Sequence, residues 1–167
     1  LLTQNETEAM RLWKESVEAL RCPLTLKLPE FDVLACTYNS EAYLEHALQS
    51  VLFQSYQCRN FIVVNDGSTD NTAEILRRYS AEYPQLKVIT NDKNRGITFS
   101  ANVGLEHSIS EYVSRMDLDD LIHPLKYEKQ LQYLNNNPHV LALSTWMTIF
   151  NSKGISNKIQ YRNDPDV

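Results

Sequence analysis

The spacing of apolar positions along the chain changes near residue 31. From residue 5 to residue 20, apolar side chains recur every three or four positions, at Met10, Trp13, Val17 and Leu20. This is the spacing of one face of an amphipathic helix. Two prolines within residues 22–29 then discourage regular structure. We therefore expect residues 1–28 to form a helix and a linker, and residues 29–167 to form one domain.

Beyond residue 31, short apolar runs alternate with segments at helical spacing. The runs predict five strands, at Val33–Cys36, Phe61–Val64, Leu86–Ile89, Tyr112–Arg115 and Val140–Phe150. The intervening segments predict four helices, the first two capped by Asn39 or Ser40 and by Asp70 and Asn71, the third at about 99–108, and the fourth with Pro124 in its first turn. This alternation indicates an α/β fold with a mostly parallel sheet and helices on both faces.

Composition narrows the class of protein. The chain has 167 residues, of which 43% are hydrophobic and 22% charged, as expected for an ordinary globular domain. A net charge of −5 argues against a nucleic-acid-binding surface. No apolar run is long enough to span a membrane, and the three cysteines show no CxxC spacing. We expect a cytoplasmic protein with reduced thiols and no transmembrane segment, compatible with peripheral association of a longer parent protein at the inner face of the membrane.

Polar residues follow the predicted strands at the positions where ligands bind in such sheets. Tyr38 follows the first strand, Asp66 the second, Arg95 the third, and Asp117 with Asp119 the fourth. Because ligands of open α/β sheets occupy the crevice beyond the carboxyl ends of the strands, we expect these side chains to converge on one site. Separate capped turns would explain each cluster but not their common edge.

The acidic segment 116–120 allows two interpretations. On extended backbone, alternate side chains point the same way, so Asp117 and Asp119 would face one pocket while Asp120 turns aside. Two close carboxylates would favour a divalent cation with oxygen ligands, Mn²⁺ or Mg²⁺. The alternative is an acidic surface turn with helix-capping aspartates. Arg115, directly before the segment, is expected to pair with a carboxylate or to leave on the other face of the sheet.

Several ligand classes are disfavoured by the same residues. No GxGxxG follows the first strand, no P-loop signature is present, and four glycines in total leave no glycine-rich phosphate cradle. A sugar-nucleotide pyrophosphorylase would need such a loop, and the surroundings of Tyr38 and Asp66 disfavour a phosphate-receiving regulator. A phosphate ligand here would need a metal to neutralise it, while Tyr38 could stack on a base and Asp66 could accept a base N–H.

The motifs together resemble the family 2 glycosyltransferases of GT-A fold. The resemblance rests on the sequences 37–39 (TYN), 65–72 (NDGSTDNT), 94–96 (NRG) and 115–120 (RMDLDD), in the family's order and spacing. Residues 123–138 also resemble members that build bacterial surface polysaccharides. The resemblance covers roughly residues 31–150. It implies transfer of a sugar from a nucleoside-diphosphate-sugar, UDP-linked in most members, to a saccharide or lipid-linked saccharide acceptor, with inversion at the anomeric carbon.

The family's residue roles transfer by position to this sequence. The resemblance implies that Thr37, Tyr38 and Asp66 hold the nucleotide, that Arg95 lies near the donor, and that Asp117 lies near the ribose and the metal. Asp119 matches the direct ligand of Mn²⁺ or Mg²⁺. The family commonly has Pro at the position of Cys36 and Asp at that of Asn65.

The family's general base has no convincing match before Val167. We therefore expect the catalytic base beyond Val167, in an acceptor half that this sequence lacks. A non-catalytic nucleotide-sugar-binding module remains the alternative function for the chain as given.

Overall fold

The computed structural model describes residues 28–151 and 154–159. Its strands are β1 Phe31–Thr37, β2 Asn60–Asn65, β3 Leu86–Thr90, β4 Tyr112–Asp117, β5 Met147–Asn151 and β6 Gly154–Ile159. Its helices are α1 Leu44–Leu52, α2 Thr72–Glu82, α3 Ile97–Glu106 and α4 Lys126–Asn136. The amphipathic helix expected before residue 28 lies outside the described residues.

The first four strands form one parallel sheet in the order β3-β2-β1-β4. The chain moves outward from β1 through β2 to β3, and then returns across the sheet to place β4 on the other side of β1. The strand order therefore reverses between β1 and β4, and such a reversal opens a ligand crevice at the carboxyl ends of the strands. The predicted α/β class and mostly parallel sheet are confirmed.

Helices cover both faces of the sheet, as predicted. One face carries the main core, in which Val33, Phe61 and Val63 are fully buried beneath α1, α2 and α4. The opposite face carries a smaller cluster of Leu34, Ile62 and Val64, packed by α3. Because β1 and β2 are buried on both faces, their sequences are nearly continuous apolar runs.

Gly104 explains how closely α3 approaches the sheet. A Cβ atom at this position would overlap the Leu34 side chain and lie 3.2 Å from a methyl group of Val64. Any larger residue would push the helix away from the strands that it covers. The approach matters for the site because α3 follows directly on the loop that carries Arg95.

The prediction for the end of the domain is partly wrong. Residues 140–146 are irregular, and the strand begins only at Met147. That strand, β5, pairs antiparallel with β6 in a separate two-stranded sheet and does not extend the parallel one. Apolar composition marked the segment as strand-prone, but pairing depends on a partner that local pattern does not reveal.

The predicted start of the first helix is also wrong. Tyr43 occupies the N-cap position of α1 without a side-chain cap, and the carbonyl of Ser40 accepts hydrogen bonds from Tyr43 and Leu44 at 3.0 Å. Asn39 instead takes a left-handed conformation with φ of 51°. For α2, Asp70 supplies an oxygen 3.0 Å from the backbone N–H of Thr72, whereas Asn71 makes no side-chain cap.

Candidate functional site

The residues predicted to form the site lie at one edge of the parallel sheet. Thr37 ends β1, Asp66 follows β2, and Asp117 ends β4. The backbone N–H of Asp66 donates to the Thr37 carbonyl at 2.9 Å, and Cys36 is the neighbour of Asp117 across the strands. The residues that end or follow β1, β2 and β4 therefore lie at the same edge of the sheet.

Asp66 is a buried carboxylate held by the loop between β3 and α3. Its Oδ1 accepts hydrogen bonds from the side chain of Asn91 at 2.7 Å and from the backbone of Arg95 at 2.9 Å. Its Oδ2 accepts one from the backbone of Gly96 at 2.8 Å. Burial alone would raise the pKa of Asp66, but these bonds and one with Ser100 outweigh it and lower the pKa. Asp66 is thus an ionised acceptor at neutral pH.

Gly67 makes the contact between this loop and Asp66 possible. Its φ is +69°, and a Cβ atom there would lie 2.5 Å from the backbone carbonyl carbon of Lys93. Only a residue without a side chain fits both the conformation and the close approach. The glycine after Asp66 therefore lets residues 93–96 close over the end of β2.

Tyr38 and Arg95 present side chains to solvent near this buried group. Tyr38 is 45% exposed and follows Thr37, which is buried. The Thr37 hydroxyl has no hydrogen-bond partner within the part of the chain that the structure describes. The Arg95 guanidinium lies 3.6 Å from the ring centroid of Phe99, a cation–π contact that holds it against the start of α3.

The acidic segment is a turn and not an extended strand. The strand β4 ends at Asp117, and the N–H of Asp120 donates to the Asp117 carbonyl at 3.2 Å. The expected alternation of Asp117 and Asp119 on extended backbone is therefore wrong beyond Asp117. Asp117 and Asp120 line a cleft of about 910 Å³ whose other wall includes Thr145–Thr148, and Asp119 is exposed on the turn.

Arg115 pairs with Asp117, so the expectation that it would pair with a carboxylate is the correct one of the two. The guanidinium makes two hydrogen bonds to the carboxylate, at 2.7 and 3.2 Å. Both side chains are about half exposed, at 52% for Arg115 and 43% for Asp117. They lie two residues apart and so share one face of β4. β4 is only partly buried because it lies at the edge of the four-stranded sheet.

The carboxylates of this turn suit a cation that is also bound by oxygen atoms of a ligand. Burial and the negative charges of Asp119 and Asp117 raise the pKa of Asp120. Within residues 28–151 and 154–159, no three His, Cys, Asp or Glu side chains are arranged to hold a metal ion by themselves. Mg²⁺ commonly uses one or two carboxylates together with substrate phosphates. Asp117 and Asp119 fit that pattern.

One residue of the site was missed by the sequence analysis. Asn91 follows β3 directly, and its side-chain amide donates both to Asp66 at 2.7 Å and to the Ser100 hydroxyl at 2.9 Å. It therefore links the end of β2 to the first turn of α3. The rule that identified Asp66, a polar residue directly after a strand, applies equally to Asn91.

The sequence matches a known family and several bacterial proteins. Residues 32–163 match the family described as Glycosyl transferase family 2. An uncharacterized glycosyltransferase of Haemophilus influenzae is 36% identical over 79% of this chain and 39% of its own length. The putative glycosyltransferase EpsE of Bacillus subtilis is 35% identical over 76% of this chain and 46% of its own length. The chain thus spans less than half the length of these relatives.

Solved structures show the same fold. Staphylococcus aureus TarS, residues 1–349 in complex with UDP-GlcNAc, matches with a TM-score of 0.62 and 28% identity over 77% of this chain and 37% of that one. The mannosyltransferase PcManGT of Pyrobaculum calidifontis, with GDP-Man and Mn²⁺, matches with a TM-score of 0.59 and 25% identity over 77% of this chain and 40% of that one. No helix within the described residues is long and apolar enough to cross a membrane. The parallel sheet with GT-A topology and the match over residues 32–163 show that the chain belongs to glycosyl transferase family 2, a family of enzymes.

Proposed function

We propose that this chain is the donor-binding part of an inverting, metal-dependent glycosyltransferase. The donor is a nucleoside-diphosphate-sugar, with UDP as the nucleotide, and the acceptor is a hydroxyl of a saccharide or lipid-linked saccharide in bacterial polysaccharide biosynthesis. One observation carries the proposal. Tyr38, Asp66 and Asp117 lie at the same edge of the sheet, where the strand order reverses between β1 and β4. We place the reaction on the cytoplasmic side, where nucleotide-sugars are made.

The nucleotide base lies against the β1 and β2 ends of the edge. The exposed ring of Tyr38 offers an apolar face on which the base stacks. The carboxylate of Asp66, ionised and fixed by Asn91 and the backbone of Arg95 and Gly96, accepts a hydrogen bond from a base N–H. Arg95 lies beside this pocket and contributes positive charge near the donor.

The diphosphate lies over the turn that follows β4. Asp119 and Asp117 would hold Mn²⁺ or Mg²⁺ together with oxygens of the diphosphate. The chemistry that such a cation would supply is stabilisation of the negative charge on the leaving nucleoside diphosphate. The Asp117 carboxylate is paired with the Arg115 guanidinium, with which a cation would have to compete. In this scheme the described residues bind and orient the donor, and none of them acts as the general base.

Two of the structural relatives support the donor class. One TarS structure contains UDP-GlcNAc and another contains UDP, while the PcManGT structure contains GDP-Man and Mn²⁺. TuaG of Bacillus subtilis, 35% identical over 64% of this chain, is described as a putative teichuronic acid biosynthesis glycosyltransferase. These proteins favour a nucleotide-sugar donor and a cell-surface polymer as product.

The substitution Asp119→Ala tests the metal assignment. We expect it to abolish Mn²⁺-dependent binding of UDP, measured by calorimetry on the full-length protein, while the unfolding temperature stays close to that of the unaltered protein. The reason is that Asp119 is exposed on a turn, so its loss removes a cation ligand but little packing. Glu111→Ala is the matched control, because Glu111 is an exposed carboxylate that lies directly before β4, at the opposite end from Asp119.

Unchanged UDP affinity in Asp119→Ala would contradict the metal assignment. A transfer assay with the full-length protein distinguishes the enzyme from a binding module. Release of UDP that requires an acceptor supports transfer, whereas tight UDP-sugar binding without turnover under all conditions would favour the module.

A further inference from the structure

The side chain of Asn39 connects the two loops that carry the proposed base-binding residues. Its Oδ1 accepts a hydrogen bond from the backbone N–H of Thr69 at 2.8 Å, and its own backbone N–H donates to the Ser68 hydroxyl at 3.0 Å. A backbone N–H can only donate, so the amide oxygen must face Thr69. Asn39, the residue directly after Tyr38, is thus hydrogen-bonded to the segment that follows Asp66.

The same two loops are joined at three further points. The N–H of Ser40 donates to the Thr72 hydroxyl at 3.0 Å, and that of Glu41 donates to Asp70 at 3.2 Å. In the opposite direction, the N–H of Asn71 donates to the Glu41 carboxylate at 2.9 Å. The loop after β1 and the loop after β2 therefore form one hydrogen-bonded unit.

The backbone of Asn39 has a conformation that few residues with a side chain adopt. Its φ of 51° is positive, and it is the one residue other than glycine with positive φ among the described residues. Asparagine and aspartate adopt this conformation more readily than other residues with a side chain. The conformation turns the chain directly after Tyr38, and the hydrogen bonds of Asn39 fix the backbone next to Tyr38 to the segment after Asp66.

We propose that Asn39 is a positioning residue for nucleotide binding, which orients the Tyr38 ring relative to Asp66 so that the base is stacked and hydrogen-bonded at once. This inference rests on the proposed function, because it assumes that Tyr38 and Asp66 hold the base. It adds a residue that makes no contact with the donor in the proposed scheme and acts only through its neighbours. Its effect is therefore confined to the nucleoside end of the donor.

Two substitutions at Asn39 separate the role of its backbone from that of its side chain, and a third, at Tyr38, tests the base pocket itself. Asn39→Gly keeps access to positive φ and removes the amide oxygen. Asn39→Asp keeps an oxygen acceptor for the Thr69 N–H. Tyr38→Ala removes the proposed stacking platform itself. Affinities of the full-length protein for UDP and for pyrophosphate, each with Mn²⁺, are measured by calorimetric titration and by competition.

We expect Asn39→Gly to weaken UDP binding by about three- to tenfold, the range for one lost hydrogen bond. Pyrophosphate affinity should not change, because pyrophosphate lacks the base, and Asn39→Asp should bind UDP like the unaltered protein. A parallel fall in both affinities, or unchanged UDP affinity in Asn39→Gly, would overturn the inference. If Tyr38→Ala also leaves UDP affinity unchanged, the proposed base pocket fails, and that result is distinct from the failure of Asn39 alone.

Discussion

The two ends of the parallel sheet each contain a buried aspartate, and the two are held in different ways. At the amino end, Asp32 on β1 accepts hydrogen bonds from Asn60, Ser108, Ile109 and Ser110, at 2.8–3.1 Å. These partners come from the start of β2 and from the segment before β4. At the carboxyl end, Asp66 accepts its hydrogen bonds from the loop between β3 and α3 and from Ser100 at the start of α3.

The difference separates a structural anchor, Asp32, from Asp66, for which we propose a binding role. Asp32 is completely buried and joins β1 to the start of β2 and to the segment before β4, so its bonds stabilise the arrangement of the sheet. Asp66 joins β2 to one loop that carries the exposed Arg95, beside the exposed Tyr38. We infer that Asp32 serves the stability of the sheet, and we propose that the carboxyl end binds the donor, since ligands of open α/β sheets lie beyond the carboxyl ends of the strands.

The largest effect is expected from Asp32→Asn. Hydrogen bonds to a charged group contribute about 1.5–3 kcal/mol each, and the bonds to one carboxylate are not independent. Because the amide would turn an NH₂ group toward backbone N–H donors, we expect the free energy of unfolding to fall by about 3 kcal/mol. Urea denaturation measures this as a lower midpoint with an unchanged slope.

The pH dependence of that loss tests its electrostatic origin. Burial tends to raise the pKa of Asp32, but the hydrogen bonds from Ile109, Ser108, Asn60 and Ser110 lower it below the ordinary 3.8. A lowered folded pKa gives stability that is present above about pH 4 and is lost as the pH falls toward the folded value. The gap between the unaltered protein and Asp32→Asn should therefore narrow from pH 7 to pH 3.

The matched control for Asp32→Asn is the same change at Asp92, which is exposed. We expect its unfolding free energy to stay within about 0.5 kcal/mol of the unaltered value. A gap that stays constant with pH would show that Asp32 acts through packing rather than through its charge.

A smaller loss of stability and a larger loss of binding are expected from Asp66→Asn. The substitution removes one charged acceptor from the backbone of Arg95 and Gly96, at a cost of about 1–2 kcal/mol. UDP affinity should fall more than tenfold, because the loop is released and the base loses its acceptor. Asp32→Asn is the comparison, since it should retain UDP binding at low temperature despite its lower stability.

The comparison of the two ends would fail if Asp66→Asn lost as much stability as Asp32→Asn while binding UDP normally. In that case Asp66 would be a second anchor that only fixes the Arg95 loop. Calorimetry on both variants at the same temperature, with circular dichroism to establish the folded fraction, distinguishes the two outcomes.

The fold was predictable because its strands and helices have strong local patterns. β1 and β2 are buried on both faces, so their apolar runs are hard to mistake. Helix α1 buries Leu44, Leu48 and Val51, which recur at helical spacing. The segment 140–150 failed because strand pairing depends on a partner elsewhere in the chain. Local patterns therefore predicted the elements better than their partners.

The position of the site was predictable, but its internal contacts were not. A topological rule places Tyr38, Asp66 and Asp117 at one edge once the strand order is known. The hydrogen bonds of Asn39 and Asn91 link residues 9 to 30 positions apart, and no local spacing predicts them. Asp32 had no sequence signal at all, because a single aspartate in an apolar run does not show what surrounds it.

The smallest effect is expected from Arg115→Met. Half-exposed ion pairs are worth about 0.2–1 kcal/mol, so stability should hardly change. Because the Arg115 guanidinium occupies both oxygens of Asp117, a cation must compete with it. Its removal should tighten Mn²⁺ binding in the presence of UDP, by at most about fivefold, measured by calorimetry.

The matched control is Arg59→Met at the amino end. Arg59 pairs with Glu30 at 2.8 Å, and the two side chains are 48% and 67% exposed, so this pair is about as exposed as that of Arg115 and lies away from the proposed site. We expect a similarly small change in stability and no change in Mn²⁺ affinity. Weaker Mn²⁺ binding in Arg115→Met would mean that the guanidinium holds Asp117 in place for the cation. Equal changes in both variants would mean that net charge, and not the contact with Asp117, controls cation affinity. A gain confined to Arg115→Met would show that the guanidinium at the end of β4 competes with the cation for Asp117, in contrast to the pair at the amino end.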